Sequence, residues 1–255
     1  MVKNLLDNNF QGELFSVNPK ETSIQGLPTF NQVEDLPLVD LAVLAIPSKF
    51  CLHAVKVLAE QKNTKAFIII SAGFGETGKH GKQLENEIAN VVTENNACLI
   101  GPNCIGVMTP AHASVFTTPI PKLTSAGCDF ISGSGATAVF IIESGIPKGL
   151  QFANVFSVGN SAQTGVEDIL AFLDQTYKPG ISPKVKLLYI ENINDPDKLL
   201  NHASSLIQKG CKIAAIKAGS SLAGNRAASS HTGALTSSDA AVEALFRKAG
   251  IVRCY

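Results

Sequence analysis

The chain has 255 residues, 45% of them hydrophobic and 16% charged, with 21 basic residues balancing 21 acidic ones. That composition excludes a disordered chain and fits one large domain or two ordinary ones. With no net charge and no Lys/Arg-rich run, nothing draws in nucleic acid or an anionic membrane at long range, although a helix N-terminus would still bind a phosphate.

The opening MVKNLLDNNF has no apolar core of a secretory leader, and no apolar run reaches membrane-spanning length. A soluble, cytoplasmic protein is expected. Residues 2–10 read as a helix and GELFSVNP (12–19) as a strand. LVDLAVLAI (38–46) is a strand, and SKFCLHAVKVLAEQKN (48–63) a helix with Ser48 as its N-cap. KAFIIIS (65–71), GKQLENEIANVVTENN (81–96) and ACLIG (97–101) follow as strand, helix and strand. VMTPAHASVFTTPIPKLTSAG (107–127), with three prolines, reads as a linker between domains.

The alternation then restarts. Strands are expected at CDFIS (128–132), FANVFSVG (152–159), KVKLLYIEN (184–192) and CKIAAIKAG (211–219). Between them fall helices at GATAVFIIESG (135–145, read as buried), TGVEDILAFLDQTY (164–177) and PDKLLNHASSLIQKG (196–210). A last helix, SSDAAVEALFRKAG (237–250), starts at Ser237 or Ser238 and ends at Gly250. Short apolar runs separated by helices of this length argue for parallel sheets of βαβ units. The first half opens with neither the strand nor the glycine-rich phosphate turn that usually begins a doubly wound domain.

None of the six cysteines forms a C-x-x-C pair, and no metal-ligand set is assigned. Cys98, Cys104, Cys128 and Cys211 lie in or beside apolar runs, where buried free thiols are common. A disulfide framework is not expected in a chain this long without a leader.

Open α/β sheets bind ligands at the carboxyl ends of their strands. Val17, Asn18, Pro19 and Lys20 lie at such an end. So do Ala45, Ile46 and Pro47, then Ser71, Ala72 and Gly73, and then the stretch GPNCIG (101–106) with Asn103. These are equally readable as ordinary βα turns. Ser132, Gly133, Ser134 and Gly135 join a strand to a helix and offer a phosphate cradle, or simply a tight turn. His231 sits among small residues in AASSHTGALT, where little bulk would crowd a group carried on the ring. A histidine nitrogen is able to relay a phosphoryl group, provided that a partner on its other nitrogen fixes the tautomer. Glu191, at a strand end, is placed for that; the plainer alternative is that His231 hydrogen-bonds a loop and Glu191 caps a neighbouring helix. His53 and His202 read as surface residues; His80 and His112 read as loop residues without a partner.

SHTGAL followed by RKAGIVRC, together with SAGFGETG, GPNCIG, FISGSGA, FSVGNSA and LLYIEN in the same order, resembles the NDP-forming acyl-CoA synthetases. ADP-forming acetyl-CoA synthetase is the nearer relative and the succinyl-CoA synthetase α subunit the more distant one. The resemblance covers nearly the whole chain. It implies a Rossmann-like CoA-binding domain at 1–122, shortened by its first strand and turn, and a flavodoxin-like domain at 123–255. It implies that His231 is transiently phosphorylated and that Glu191 holds it. Ser132, Gly133, Ser134, Gly135, Gly159, Asn160, Thr232 and Gly233 would serve the phosphate. Val17, Asn18, Pro19, Lys20, Ala45, Ile46, Pro47, Ser71, Ala72, Gly73 and Asn103 would contact CoA.

The implied reaction interconverts acyl-CoA, phosphate and ADP with acid, CoA and ATP, most readily for a short-chain acid. No ATP-grasp segment is present, so ADP or ATP and Mg would come through an ATP-grasp β-type subunit or domain, in an oligomeric assembly. Two other readings stay open. One is a non-catalytic acyl-CoA-sensing or scaffold module, against which the presence of both His231 and Glu191 speaks. The other is a NAD-dependent oxidoreductase, against which the absence of G-x-G-x-x-G after a first strand speaks.

Overall fold

The computed structural model describes residues 1–8, 10–117, 120–219 and 238–255. The chain starts with helix α1 (Val2–Asp7) and a small three-stranded sheet of β1 (Ser16–Val17), β2 (Ser23–Ile24) and β3 (Leu27–Phe30). Strand β1 runs parallel to β3, and β2 runs antiparallel to it. Then β4 (Leu41–Leu44), α2 (Ser48–Gln61), β5 (Ala66–Ile69), α3 (Lys79–Glu94) and β6 (Cys98–Ile100) form a parallel sheet in the order β4-β5-β6.

Period-two side-chain alternation decides what this sheet packs against. Ala42, Leu44, Phe67, Ile69 and Leu99 point to one face and pack with α2 and α3, around Val55, Leu58, Ile88 and Val92. Leu41, Val43, Ile68, Ile70 and Ile100 point to the other face and pack with the second half of the chain. Both faces are apolar, which is why the strands read as continuous hydrophobic runs.

The second half contains β7 (Val107–Thr109), β8 (His112–Ala113), β9 (Cys128–Ser132), α4 (Gly135–Gly145), β10 (Phe152–Ser157), α5 (Val166–Gln175), β11 (Val185–Ile190), α6 (Pro196–Gln208), β12 (Lys212–Lys217), α7 (Asp239–Ala249) and β13 (Val252–Cys254). Its seven-stranded sheet has the order β13-β12-β11-β9-β10-β7-β8. The five strands from β9 onward are parallel and follow the flavodoxin-like 2-1-3-4-5 winding. Strands β7 and β8 add an antiparallel edge beside β10.

Several expectations need correction. The segment read as a linker holds β7 and β8, so part of it is sheet rather than connection. Pro47, not Ser48, occupies the N-cap of α2, without a side-chain cap bond. Helix α4 is apolar on all sides, yet it fully buries only Ala138 and Ile142 and leaves Phe140 68% exposed. Cys98 is exposed, whereas Cys51, Cys104, Cys128 and Cys211 are buried. His80 lies within α3, and His202 is half-buried and bonds Asp174 through Nδ1 at 2.9 Å. The final helix follows its sequence signals: Ser238 Oγ accepts from Ala241 N at 3.2 Å, and Gly250 closes the helix in the left-handed region.

Candidate functional site

In the large sheet the chain winds outward from β9 to β10 and then returns past β9 to β11, so the strand order reverses between β9 and β11. Such a switch point opens a crevice at the carboxyl ends of the two strands. Ser132 ends β9, and Glu191 follows Ile190 at the end of β11. The two strand ends meet closely: a Cβ added to Gly133 would stand 3.3 Å from the Glu191 backbone N, a contact tighter than most side chains make. Gly133 N donates to the Tyr189 carbonyl at 2.8 Å, which fixes the turn against β11.

A cavity of about 950 Å³ opens at this point, between the large sheet and the carboxyl edge of the β4-β5-β6 sheet. On the large-sheet side it is lined by Gly133, Ser134, Gly135 and Ala136, by Gly159 and Asn160 after β10, and by Glu191, Asn192 and Asn194 after β11. Ser134 is the N-cap of α4 and accepts from Thr137 N at 3.3 Å. Buried Ser132 braces the turn, its Oγ donating to the Ser134 carbonyl at 2.7 Å. The first-turn amides of Gly135 and Ala136 have no intrahelical acceptor, and the helix dipole adds partial positive charge beside them. This is an anion-binding geometry.

The opposite wall comes from the first half. Ala72, Asn103, Lys79 and Lys82 line it together with Glu85. Ala45, Ile46 and Pro47 follow β4, and Ser71, Ala72 and Gly73 follow β5, so these turns lie along one sheet edge, but of them only Ala72 lines the cavity. Hydrogen bonds tie that edge together: Ser71 Oγ donates to the Ile46 carbonyl at 2.5 Å, and Asn103 N donates to the Ser71 carbonyl at 3.0 Å. Val17, Asn18, Pro19 and Lys20 leave a different sheet, through a turn in which Asn18 Oδ1 accepts from Lys20 N, and none of the four lines the cavity. His231, Thr232 and Gly233 lie outside the described residues.

Asn160, expected at the phosphate, bridges the two halves. Its Nδ2 donates to Glu76 at 2.6 Å and to Glu85 at 2.9 Å, and its Oδ1 accepts from Asn103 Nδ2 at 3.3 Å. Its backbone N donates to the Pro102 carbonyl at 2.9 Å. Gly159, just before it, has φ +54°, and a Cβ there would stand 2.2 Å from the Pro102 oxygen. Burial pushes the Glu76 carboxyl up, but donors from Asn160, Gly73 and Phe74 outweigh it and hold the group below the usual carboxylate range. Glu85, 1% exposed, accepts from Lys82 Nζ and Gly75 N.

Sequence reasoning assigned no role to Glu76, Glu85 or Lys82. Glu76 lies within SAGFGETG, three residues past the last one taken from that motif. Glu85 carried a clearer signal: it shares the buried stripe of α3 with Gly81, Ile88 and Val92. A carboxylate on an apolar helix stripe needs partners. The N-cap of the next helix, α6, is Asp195, which accepts from Lys198 N at 2.9 Å. Among the described residues no cluster of three metal-ligating side chains occurs, and no helix is long and apolar enough to cross a membrane.

Residues 125–255 match the family described as succinyl-CoA ligase like flavodoxin domain, and residues 1–110 match the family described as CoA binding domain. The α subunit of acetate–CoA ligase (ADP-forming) II from Pyrococcus furiosus is 36% identical over 94% of this chain and 51% of its own length. Acetate–CoA ligase (ADP-forming) I from Archaeoglobus fulgidus is 35% identical over 99% of this chain and 36% of its own length. Among solved structures, the dinucleotide forming acetyl-coenzyme A synthetase 1 of Ca. Korarchaeum cryptofilum, in complex with phosphate and ADP, superposes with a TM-score of 0.89. It is 30% identical, over 99% of this chain and 53% of its own. The chain thus spans about half the length of the α subunits it matches and about a third of the longer relatives.

Proposed function

Because this chain belongs to the NDP-forming acyl-CoA synthetase family, we propose that it is the α-type part of an ADP-forming acyl-CoA synthetase that works through a phosphohistidine at His231. One observation carries the reading: the amide-lined start of α4 and Glu191 border the same cavity, whose other wall is the edge of the CoA binding domain. That juxtaposition suits an acyl-CoA and a phosphate meeting in one place. The cavity's size and the lysines at 79 and 82 fit a ligand that carries phosphates.

In the proposed sequence phosphate attacks the thioester carbonyl, the C–S bond breaks, and CoA leaves with acyl phosphate remaining. His231 then attacks phosphorus. The P–O bond to the acyl group breaks, an N–P bond forms, and the acid leaves as a carboxylate. Both transition states carry anionic charge, so the fixed amides of α4 and the enforced alignment supply the catalysis. Glu191 accepts the N–H of the second ring nitrogen and holds the imidazole in its nucleophilic tautomer. An ATP-grasp subunit or domain would supply the ADP and Mg that receive the phosphoryl group. A short-chain acid is the proposed substrate, and an assembly with that partner is the proposed working form.

Labelled inorganic phosphate with acetyl-CoA, in the presence of the partner, is expected to place an acid-labile, base-stable label on the chain. His231→Asn should abolish it, and Glu191→Gln should slow it by about 10–100-fold. A chain that takes no label under any of a series of short acyl-CoAs would leave the acyl-CoA-sensing module as the better reading. A binding titration with NAD tests the oxidoreductase reading.

A further inference from the structure

Lys217 ends β12 and is only 7% exposed, and the catalytic proposal above gives it no part. A buried ammonium has three protons to satisfy and a large desolvation cost. Among the described residues its Nζ donates to one neutral group, the Ala218 carbonyl at 2.7 Å, and forms no ion pair within 4 Å. Burial in a merely structural role would favour an apolar side chain, such as the buried Ile190 that ends the adjoining strand β11. Something therefore favours the charge at this place.

The surroundings identify it. Strand β12 pairs with β11 in register, Lys217 beside Ile190, so Glu191 is the next residue along the adjoining strand. Ala218 N donates to the Ile190 carbonyl at 2.9 Å and holds the two strand ends together just before Glu191. Among the described residues the charges acting on Lys217 are Glu191 just after β11, Asp239 from α7 and Arg253 from β13. Asp239 is already paired with Arg253, which also holds Glu243 at 3.0 Å. Burial pushes the Lys217 ammonium below the usual lysine range, and Glu191 opposes that shift ahead of Asp239. Among the described residues the other ionisable groups bordering the cavity are Lys79, Lys82, Glu85 and the buried thiol of Cys104, and Lys82 is paired with Glu85.

We propose that Lys217 is a positioning residue: a buried, fixed cation at the end of β12 that keeps the Glu191 carboxylate ionised at the mouth of the cavity. This deepens the function proposed above and rests on it for the role of Glu191. The physical need is specific. Glu191 must accept an N–H from an imidazole, and a protonated carboxyl presents a poorer acceptor. Its environment also changes charge when an anionic phosphoryl group enters or leaves beside it. A cation built into the sheet supports the carboxylate in every state of that cycle, because it does not move with the ligand.

The test compares wild type, Lys217→Met and Lys217→Arg in the assembled protein with its partner. In the first readout the chain carries 13C-labelled glutamate, the Glu191 carboxyl signal is assigned by its loss in Glu191→Gln, and it is titrated. Losing the opposite charge at the adjoining strand end should raise the midpoint by about one pH unit in Lys217→Met, while Lys217→Arg should restore it. If Lys217→Met does not fold, Lys217→Gln keeps a donor for the Ala218 carbonyl without the charge and takes its place. An unchanged midpoint overturns the proposal. The second readout is the pH profile of phosphate labelling. Its acid limb should move up by the same amount, so labelling falls about 10-fold on the acid side and less than about 2-fold near pH 8. Loss of label equal at all pH values also overturns it. A wild type that takes no label refutes the phosphohistidine reading, while the carboxyl titration still decides whether Lys217 holds Glu191 ionised.

Discussion

Asn160 presents one amide nitrogen to two carboxylates from the other half of the chain, Glu76 and Glu85, and turns its oxygen to Asn103. Removing the amide leaves the buried Glu85 and the half-buried Glu76 facing each other with fewer donors. Asn160→Ala is therefore expected to cost about 1–3 kcal/mol, read by urea unfolding. Glu76 adds a pH signature. Its carboxyl is held below the usual range, so its contribution is complete above that range and is lost as pH falls through the depressed value. The stability gap between wild type and Glu76→Gln should thus be open at about pH 7 and should close toward about pH 3. A gap that is constant with pH would show that the carboxylate's charge is not what the network uses. The sequence pointed to Asn160 but not to what its amide meets, because that depends on a segment more than 70 residues away. Glu85 was legible in principle, as a charge on an apolar stripe, whereas the closeness of Gly133 to Glu191 required the strand order.

The long elements were legible from periodicity. Helix α4 falls on the residues expected, and β9 does too. Strands β7, β8 and β13 were not, since three residues or fewer show no alternation and are strands only because a neighbour offers a ladder. Prolines at 110, 119 and 121 reinforced the linker reading, although Pro110 only turns β7 into the edge strand β8. Pairing between helices was equally invisible. Asp174 lies at the carboxyl end of α5, where the helix dipole disfavours a negative charge. Helix α6 and the residue after it supply the compensation: His202 Nδ1 at 2.9 Å, Ser205 Oγ at 2.8 Å and Lys209 Nζ at 2.6 Å. Burial pushes the Asp174 carboxyl up, but those three donors prevail and hold it low. Asp174→Ala should destabilise the protein by about 1–3 kcal/mol in urea unfolding, the half-exposed Lys209 contributing least. Asp174→Asn should recover part of the loss, because an amide oxygen still accepts from Ser205.

At the scale of the whole molecule, the βαβ alternation showed two α/β units but not how they share a core. The β4-β5-β6 sheet has helices on one face only, and its second face is covered by the other half of the chain. The loop after β10 reinforces the join: Leu99 N donates to Gln163 Oε1 at 2.7 Å, and Gln163 Nε2 donates to Thr93 Oγ1 at 2.9 Å. Ala162 N donates to the Gly101 carbonyl at 3.1 Å. The site therefore belongs to neither half, since its two walls come from the two sheets and their spacing is set by this packing. Neither unit loses the other without exposing an apolar sheet face, so calorimetry should show one cooperative transition rather than two. Ile68, 4% exposed, sits in the shared core beneath the cavity. Ile68→Ala should lower stability by about 2–4 kcal/mol and move the single transition down without splitting it. Two separate transitions in that variant would show that each half closes its own core, and the cavity between them would then be a contact that opens, not a fixed site.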